Sequence, residues 1–242
     1  MREKIVTSNV SDKIAETKKS GNSMLLLMLA SFFLIIIGLS VKAIFLALIG
    51  IVAAIWSGAS FAKSSASRNT YEHGHEGEEM LRQRLHSFLS DDYIAYFGYP
   101  LNNGQDIDCI LLGPSGLYVI ETKHHNGSIQ YTDGGWRQVK TGRGGTAYYG
   151  NLKNPGGQVL FALREVKSYL ESKGIKIFIH GVVTFTNPSA VLSIEKDPKP
   201  LKVCKIYELE DILKGDKEKN IPKNKLEIIE KELNSAIPKT FN

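Results

Sequence analysis

The sequence lacks several features that would assign it to a well-marked class of protein. It contains two cysteines, Cys109 and Cys204, which cannot form the four-ligand cluster of a structural zinc site and need not form a disulfide. Cys109 lies within an apolar run, which predicts a buried free thiol in a reducing compartment. The glycine-rich stretch 141–150 lacks the Gly-Lys-Ser/Thr ending of a P-loop, and the chain shows no internal repeat.

Charge is nearly absent from residues 24–62, where Lys42 is the only formally charged residue. The apolar stretches 24–41 and 43–62 each approach the about 20 residues that a helix needs to cross a bilayer. This pattern predicts a transmembrane helical hairpin. The alternatives are one long spanning helix with an interfacial segment, or a signal peptide, which the lack of an Ala-x-Ala-like cleavage site disfavours.

Basic residues flank the apolar segment on both sides. Lys18 and Lys19 precede it, and Lys63 and Arg68 follow it. Basic flanks are retained on the cytoplasmic side of a membrane. The sequence therefore predicts a cell-membrane protein that crosses the lipid twice through 24–62, with its soluble part in the cytoplasm.

The formal net charge of +5 does not by itself indicate a nucleic-acid partner. Residues 1–72 carry 8 of the 30 basic and 4 of the 25 acidic residues, which leaves 22 against 21 for the rest of the chain. A local excess of basic residues remains over 122–164, where Asp133 is the only acid. This patch is either a surface for nucleic acid or a solvated loop face.

After the apolar segment, the sequence alternates predicted helices and strands, which is typical of an α/β fold. Five segments are predicted along the chain: a cytoplasmic tail over 1–23, the transmembrane hairpin over 24–62, a linker over 63–72, an α/β domain over 73–190, and a C-terminal strand and helical extension over 191–242. Gly74 and Gly77 are expected to interrupt the chain before the first helix of the domain, at about 76–89. A hairpin is predicted over 128–139, around the turn Asp133-Gly134-Gly135.

The predicted buried strand over 116–123 ends in charged residues, which buried strands normally lack. Glu121 and Lys123 share one face because alternate side chains of a strand point the same way. The turn 113–116 folds the preceding strand back antiparallel, which brings Asp108 near Glu121. Two carboxylates and a lysine together predict a site for Mg²⁺ or Mn²⁺ and a phosphate. The alternative is a surface ion pair, since Glu-x-Lys triplets are common by chance.

Two predicted helices add candidate residues. Glu78 lies on the apolar stripe of the helix over 76–89 and faces the core, whereas Glu79 faces water. Alternatively, Glu78 stabilises the first turn, where the helix dipole favours carboxylates. In the helix that begins at Pro155, Gln158 lies at the edge of the buried face in the first turn, where an amide can contact a phosphate or hold an attacking water.

Four motifs occur in the order found in the NERD, or nuclease-related, domain of the PD-(D/E)xK nuclease superfamily. "GHEGEE" resembles its opening glycine-glutamate helix, "QDIDCILLGPSGLYVIETKHHNGSI" its Ile-Asp and Glu-x-Lys core, "NPGGQ" its Asn-Pro-x-x-Gln helix start, and "GVVTFTN" its later strand. The resemblance covers about half of the chain. It implies a restriction-endonuclease-like fold, a mixed sheet flanked by helices. One departure is Cys109, where the family often has histidine; its side chain is expected to point away from Asp108.

The sequence, with this resemblance, predicts a membrane-anchored nuclease that hydrolyses phosphodiester bonds of DNA, or of RNA, at the cytoplasmic face. The predicted catalytic residues are Glu78, Asp108, Glu121, Lys123 and Gln158. Of these, Asp108, Glu121 and Glu78 are the predicted ligands of Mg²⁺ or Mn²⁺. Basic candidates for contacting nucleic acid, with DNA favoured, are Arg137, Lys140, Arg143 and Lys153.

Two other functions compete with catalysis. The domain could bind nucleic acid or protein at the membrane without cutting, or serve as a structural partner in a membrane complex. Tyr148, Tyr149 and Trp136 either stack on bases beside Arg143 or close the core beneath a loop. Four histidines lack the spacing of metal ligands and are interpreted as polar loop residues: His73, His75, His124 and His125. No oligomeric state is predicted.

Overall fold

The computed structural model describes residues 1–5, 19, 22–33, 36, 44–101, 103–132, 135–195, 197–214 and 220–237. The chain divides into two compact units, one formed by Asn9–His75 and the other by Met1–Ser8 together with Glu76–Asn242. Helix α1 (Ile44–Phe88) contributes residues to both. Candidate residues for function all belong to the second unit.

The prediction of two membrane-spanning helices over 24–62 is wrong. Along the part of the chain that the structure describes, no helix is both long enough and apolar enough to cross a bilayer. Residues 34–35 and 37–43 lie outside the described residues. The finding overturns the predicted cell-membrane location.

The predicted break before the first helix of the domain is also wrong. Helix α1 is continuous through Gly74 and Gly77, so residues 63–72 are helical rather than an irregular linker. A glycine inside a helix costs only about 1 kcal/mol relative to alanine, which neighbouring helical turns can offset. Because α1 begins at Ile44, Glu78 does not belong to a first turn, and the interpretation of Glu78 as a capping residue is excluded.

The second unit is a mixed α/β fold, as predicted, with two mixed sheets flanked by helices. Its strands, numbered along the chain, are β1 (Arg2–Ile5), β2 (Ile94–Pro100), β3 (Asp106–Gly113), β4 (Gly116–Lys123), β5 (Gly127–Thr132), β6 (Gly135–Thr141), β7 (Ala147–Tyr149), β8 (Ile179–Phe185), β9 (Ala190–Ile194) and β10 (Leu201–Lys205). The larger sheet has the order β1-β2-β3-β4-β8-β10, and the smaller has the order β7-β6-β5-β9.

The larger sheet contains both antiparallel and parallel pairs, and their directions determine where the candidate site lies. Strands β2, β3 and β4 form antiparallel pairs, whereas β1, β8 and β10 pair in parallel with β2, β4 and β8 respectively. The end of β4 therefore lies beside the start of β3 and the end of β8. In the smaller sheet, β5 and β6 form the predicted hairpin, and the turn residues 133–134 lie outside the described residues.

The edge strand β1 comes from the segment predicted as a tail. It pairs in parallel with β2, and Glu3 accepts hydrogen bonds from the Arg82 guanidinium of α1 at 2.7 and 2.9 Å. The Arg82 hydrogen bond lowers the pKa of the Glu3 carboxyl. At the other end of the chain, residues predicted as an extension complete both sheets as β9 and β10. Strands β1, β9 and β10 thus belong to the folded unit.

Helices cover the two faces of the larger sheet. They are α1, α2 (Pro155–Ser172), α3 (Leu209–Lys214) and α4 (Lys223–Ser235). Leu81 and Leu85 of α1 pack with Ile120, whereas Val159 of α2 packs in a separate cluster with Val119. Successive β4 side chains point to opposite faces, so α1 and α2 lie on opposite sides of the sheet. The start of α2 follows the sequence: the Asn154 side chain accepts a hydrogen bond from the Gly157 backbone N–H at 2.8 Å.

The two cysteines are free and buried, which confirms the prediction of a buried thiol at Cys109. Both pack in the cluster on the α1 side of the sheet. Burial raises the pKa of each thiol, to about 12 for Cys204.

Candidate active site

Asp108 and Glu121 meet where β3 begins and β4 ends. The antiparallel ladder pairs Cys109 with Ile120, so the next step of the same register sets Asp108 opposite Glu121. The Thr122 backbone N–H donates a hydrogen bond to Asp108 Oδ2 at 2.6 Å. The short turn between β3 and β4 therefore brings the two carboxylates together, as the sequence predicts.

Lys123 forms an ion pair with Glu121, which lies on the same face of β4. The distance from Lys123 Nζ to Glu121 Oε1 is 2.5 Å, and the two side chains are only 16% and 9% exposed. Burying either charge alone would cost several kcal/mol, so each requires the other or a ligand. The interpretation of Glu121 and Lys123 as an exposed ion pair is thus wrong.

Glu78 approaches this pair from α1 and completes a cluster with excess negative charge. Burial, followed by the charge of Asp108, raises the pKa of Glu121 to about 8. Burial, followed by the charges of Asp108 and Asp106, raises the pKa of Glu78 to about 7. Burial also raises the pKa of Asp108. Carboxyl groups with strongly raised pKa values are frequent at functional sites. A simple ion pair with a lysine would lower these pKa values instead.

The acidic neighbours of Lys123 keep its side chain protonated. Burial acts to lower the pKa of the Lys123 ammonium, but the charges of Glu121 and Asp108 outweigh it and raise that pKa. Lys123 therefore carries a positive charge at neutral pH in a site that is mostly shielded from water.

Gly77 allows α1 to approach the ends of β4 and β8 closely. A Cβ atom at this position would lie 3.1 Å from His124 Cβ and 3.2 Å from Thr186 Oγ1. Both distances are tighter than ordinary van der Waals contact. The adjacent residue of the helix is Glu78, so the glycine determines how near the Glu78 carboxylate comes to the strand ends.

His124 fixes this helix-to-strand contact by hydrogen bonding. Its Nδ1 lies 3.0 Å from Thr186 Oγ1, its Nε2 lies 3.1 Å from Asn187 Nδ2, and Glu76 Oε2 lies 3.5 Å from Nε2. His124 lies in the loop after β4, as predicted, but its side chain is only 7% exposed. Sequence reasoning missed this role, and the only signal was the position of His124 directly after Lys123.

Enlarging Gly77 should destabilise the protein although alanine favours helices. We expect Gly77→Ala to lower the free energy of unfolding by about 1–3 kcal/mol, the usual cost of overpacking. Gly74→Ala is the matched control: nothing lies within 4 Å of its added Cβ, so the helical preference of alanine should leave stability unchanged or raise it by about 1 kcal/mol. Thermal melting measures both. A Gly77→Ala protein as stable as Gly74→Ala would contradict the close approach of α1.

Gln158 is not joined to the cluster in this structure. Its side chain is exposed in the first turn of α2, and among the described residues it makes no hydrogen bond to Glu78, Asp108 or Glu121. Its predicted role as a catalytic support stays a prediction.

The basic candidates for contacting nucleic acid point in different directions. Arg143 and Lys153 are exposed, Arg143 in the turn between β6 and β7 and Lys153 in the loop before α2. Arg137 is exposed on β6, whereas Lys140 on the same strand is half-buried. The aromatic candidates divide as well. Trp136 packs on Phe185 with ring centroids 6.2 Å apart and closes the core, whereas Tyr148 and Tyr149 are exposed.

The comparisons with known proteins point to one family. No curated protein and no solved structure matches this chain. The sequence model of NERD, the nuclease-related domain, matches residues 73–186, which include Glu78, Asp108, Glu121 and Lys123. The match confirms the resemblance noted in the sequence for this part of the chain. Residues 73–186 are therefore a nuclease-related domain of the NERD type.

Proposed function

We propose that this domain is a metal-dependent nuclease that hydrolyses phosphodiester bonds of DNA or RNA. The observation that carries the proposal is the convergence of Asp108, Glu121 and Glu78 around Lys123, where β3 begins and β4 ends. Burial raises the pKa values of all three carboxyl groups, and the charge of Asp108 raises those of Glu78 and Glu121 further, so the cluster favours an additional cation. We further propose that the mixed sheet flanked by helices is of the restriction-endonuclease type.

The chemistry of these side chains fits Mg²⁺ or Mn²⁺. Among the described residues, no group of three or more histidine, cysteine, aspartate or glutamate side chains is arranged to hold a metal ion. Mg²⁺ does not require such a group, because it binds through one or two carboxylates, several waters and a substrate phosphate. Asp108 and Glu121 would supply the carboxylates, with Glu78 beside them. When bound, the ion would stabilise charge on the phosphate and lower the pKa of a water molecule.

The residues of the chain supply orientation and proton transfer. The Lys123 ammonium, held 2.5 Å from Glu121, provides a fixed positive charge that can bind a phosphate oxygen and stabilise the charge that develops on it. Glu78 has a pKa of about 7, so it can accept or release a proton near neutral pH. The hydrogen bond from Thr122 N–H to Asp108 Oδ2 holds that carboxylate in a fixed orientation. These features serve hydrolysis better than binding alone.

The test is cleavage by the full-length chain, because β1 makes the N-terminal residues part of the larger sheet. Labelled single-stranded DNA, duplex DNA and RNA are each incubated with Mg²⁺, with Mn²⁺ or with EDTA. We expect cleavage of at least one substrate that requires the divalent ion. Salt-sensitive binding of nucleic acid without cleavage under every condition would instead support a non-catalytic binding module.

A further inference from the structure

Strands β6 and β7 have two faces, and each face carries one basic and one aromatic residue. Only one of the two faces is directed toward the candidate active site. The register pairs Lys140 with Tyr148 and Val139 with Tyr149. Because alternate residues of a strand share a face, Lys140 and Tyr148 lie on one face of the smaller sheet, and Arg137 and Tyr149 lie on the other. The basic patch of the sequence is therefore divided between two surfaces.

The face with Lys140 is the one directed toward the candidate active site. Gln138 lies on this face, is 1% exposed, and donates a hydrogen bond from Nε2 to the Asn126 carbonyl at 2.7 Å. Asn126 belongs to the loop 124–126, which leaves the site directly after Lys123. Lys140 is two residues beyond Gln138 and thus points to the same side as that loop.

Gly127 brings this loop into close contact with β6. It has a φ of +81°, and a Cβ atom there would lie 2.5 Å from the Val139 carbonyl oxygen and 3.5 Å from Lys140 Cα. Only glycine fits both the left-handed backbone and the space. The backbone of Lys140 is consequently held at a fixed distance from the end of β4.

His125 connects Lys123 and Lys140 electrostatically. It is half-buried, and its pKa is lowered first by burial and then by the positive charges of Lys123 and Lys140, against a hydrogen bond with the Asn151 backbone. Both ammonium groups therefore act on the same imidazole. Positive charge therefore extends from Lys123 toward Lys140, where it can attract the phosphates of a polyanion.

Tyr148 lies at the far end of this path with an exposed ring. Its side chain is 53% exposed, and it faces the same side as the half-buried Lys140. An exposed aromatic ring beside basic side chains is an arrangement on which single-stranded nucleic acid can stack its bases. A paired base in a duplex offers no free face for such stacking, so the geometry selects unpaired substrate.

We propose that a single strand of nucleic acid runs from the phosphate position at Lys123 past His125 and Lys140, and stacks a base on Tyr148. This inference rests on the proposed function for the location of the phosphate. It names the substrate as single-stranded, or as a duplex with an unpaired end or flap. Arg137 and Tyr149, on the opposite face of the same two strands, take no part.

The experiment compares matched variants on the two faces of the smaller sheet. Binding of a labelled single strand of about 15 nucleotides, DNA or RNA, and of a duplex of the same sequence is measured by fluorescence anisotropy with the full-length protein in EDTA. The variants are Lys140→Ala, Tyr148→Ala and Tyr148→Phe, with Arg137→Ala and Tyr149→Ala as controls. Cleavage of the same strands in Mg²⁺ is a second measurement.

We expect the wild type to bind the single strand more tightly than the duplex. Tyr148→Ala should weaken that binding about 10-fold, and Tyr148→Phe should retain it because the ring still stacks. Lys140→Ala should reduce the slope of log K against log salt by about 0.7, the value for one lost phosphate contact on a single strand. Both control variants should bind within about twofold of the wild type.

Three results separate the strand path from the nuclease activity. Duplex bound as tightly as single strand, or Arg137→Ala and Tyr149→Ala as damaging as the Lys140 and Tyr148 variants, would overturn the path. The path would also be overturned if the wild type cleaved nucleic acid while Lys140→Ala and Tyr148→Ala left its binding and cleavage unchanged, although the nuclease assignment would then stand. Binding that follows the expected pattern without cleavage in Mg²⁺ would support the path and overturn the nuclease assignment.

Discussion

Replacing Lys123 with alanine should reduce metal-dependent cleavage of nucleic acid by about 100- to 1000-fold, the usual effect of removing one preorganised group that stabilises developing charge. Lys123 Nζ lies 2.5 Å from Glu121 and is largely buried, so no water-exposed lysine can replace it without rearranging the site. Asp108→Ala should be at least as damaging, since it removes a proposed metal ligand and the acceptor of the Thr122 N–H.

The control for this experiment is an exposed lysine in an ordinary ion pair. Lys167 is 61% exposed and lies 3.8 Å from Glu171 one helical turn away, so Lys167→Ala should leave cleavage unchanged. Thermal melting of each variant separates loss of chemistry from loss of fold. Cleavage at wild-type rates in both Lys123→Ala and Asp108→Ala would remove the proposed active site.

Local rules explain why the centre of the site could be predicted from the sequence. Strand alternation places Glu121 and Lys123 on one face, and the turn over 113–116 returns β3 beside β4, which is sufficient to bring Asp108 to Glu121. The apolar stripe around Glu78 likewise predicted its inward direction, which its raised pKa supports. Each of these inferences uses residues within one element or across one tight turn.

Contacts between distant segments could not be predicted in this way. Strand β1 pairs with β2 about ninety positions later, and neither strand carries a signal that names its partner. The hydrogen bonds that hold His124 cannot be predicted from its position after β4, because its partners Thr186 and Asn187 reach it through the parallel pairing of β4 with β8. The excess of basic residues over 122–164 predicts one patch, whereas alternation along β6 puts Arg137 and Lys140 on opposite faces.

The helical hairpin was the largest error, and it has a different origin. The number of apolar residues over 24–62 gives the length of the apolar segment, but it does not give the bounds of the helices that contain it. Helix α1 instead continues past Lys63 through Glu76 and Glu78 to Phe88, so one helix combines an apolar segment with a residue of the candidate active site. Composition indicates that a segment is apolar, but the structure determines where its helix begins and ends.

Stability should fall as the pH rises from about 4.5 to about 8, because the folded protein holds protons that the unfolded chain releases. The pKa values of Glu78 and Glu121 are raised from 4.5 to about 7 and about 8. Within this window these two carboxyl groups bind more protons in the folded state than in the unfolded state, so their contribution to the free energy of unfolding decreases with increasing pH. The stabilising contribution is complete below pH 4.5 and is lost once both carboxyl groups are ionised. Melting temperatures of the metal-free protein across this range measure the slope.

Asp108→Asn should raise the melting temperature of the metal-free protein near pH 8 and flatten this pH dependence. The substitution removes a charge that raises the pKa of both glutamates, while the amide oxygen can still accept the Thr122 N–H hydrogen bond. We expect an increase of about 2–4 °C, which corresponds to about 1 kcal/mol in a chain of this size. Asp92→Asn, an exposed aspartate at the opposite end of the larger sheet, is the control and should change neither quantity.

In the presence of a divalent metal ion, the wild type should melt at a higher temperature than Asp108→Asn, the reverse of the order without metal. Mg²⁺ or Mn²⁺ at ten times its dissociation constant stabilises a folded protein by about 1.4 kcal/mol, so the wild type should melt about 3–6 °C higher in millimolar metal. Asp108→Asn has lost a proposed ligand and should respond weakly, although it starts from a higher melting temperature. If metal left the wild-type melting curve unchanged and Asp108→Asn were no more stable than Asp92→Asn, the repulsion among Asp108, Glu121 and Glu78 would be too weak to require a cation. The proposed metal site would then lose its physical basis.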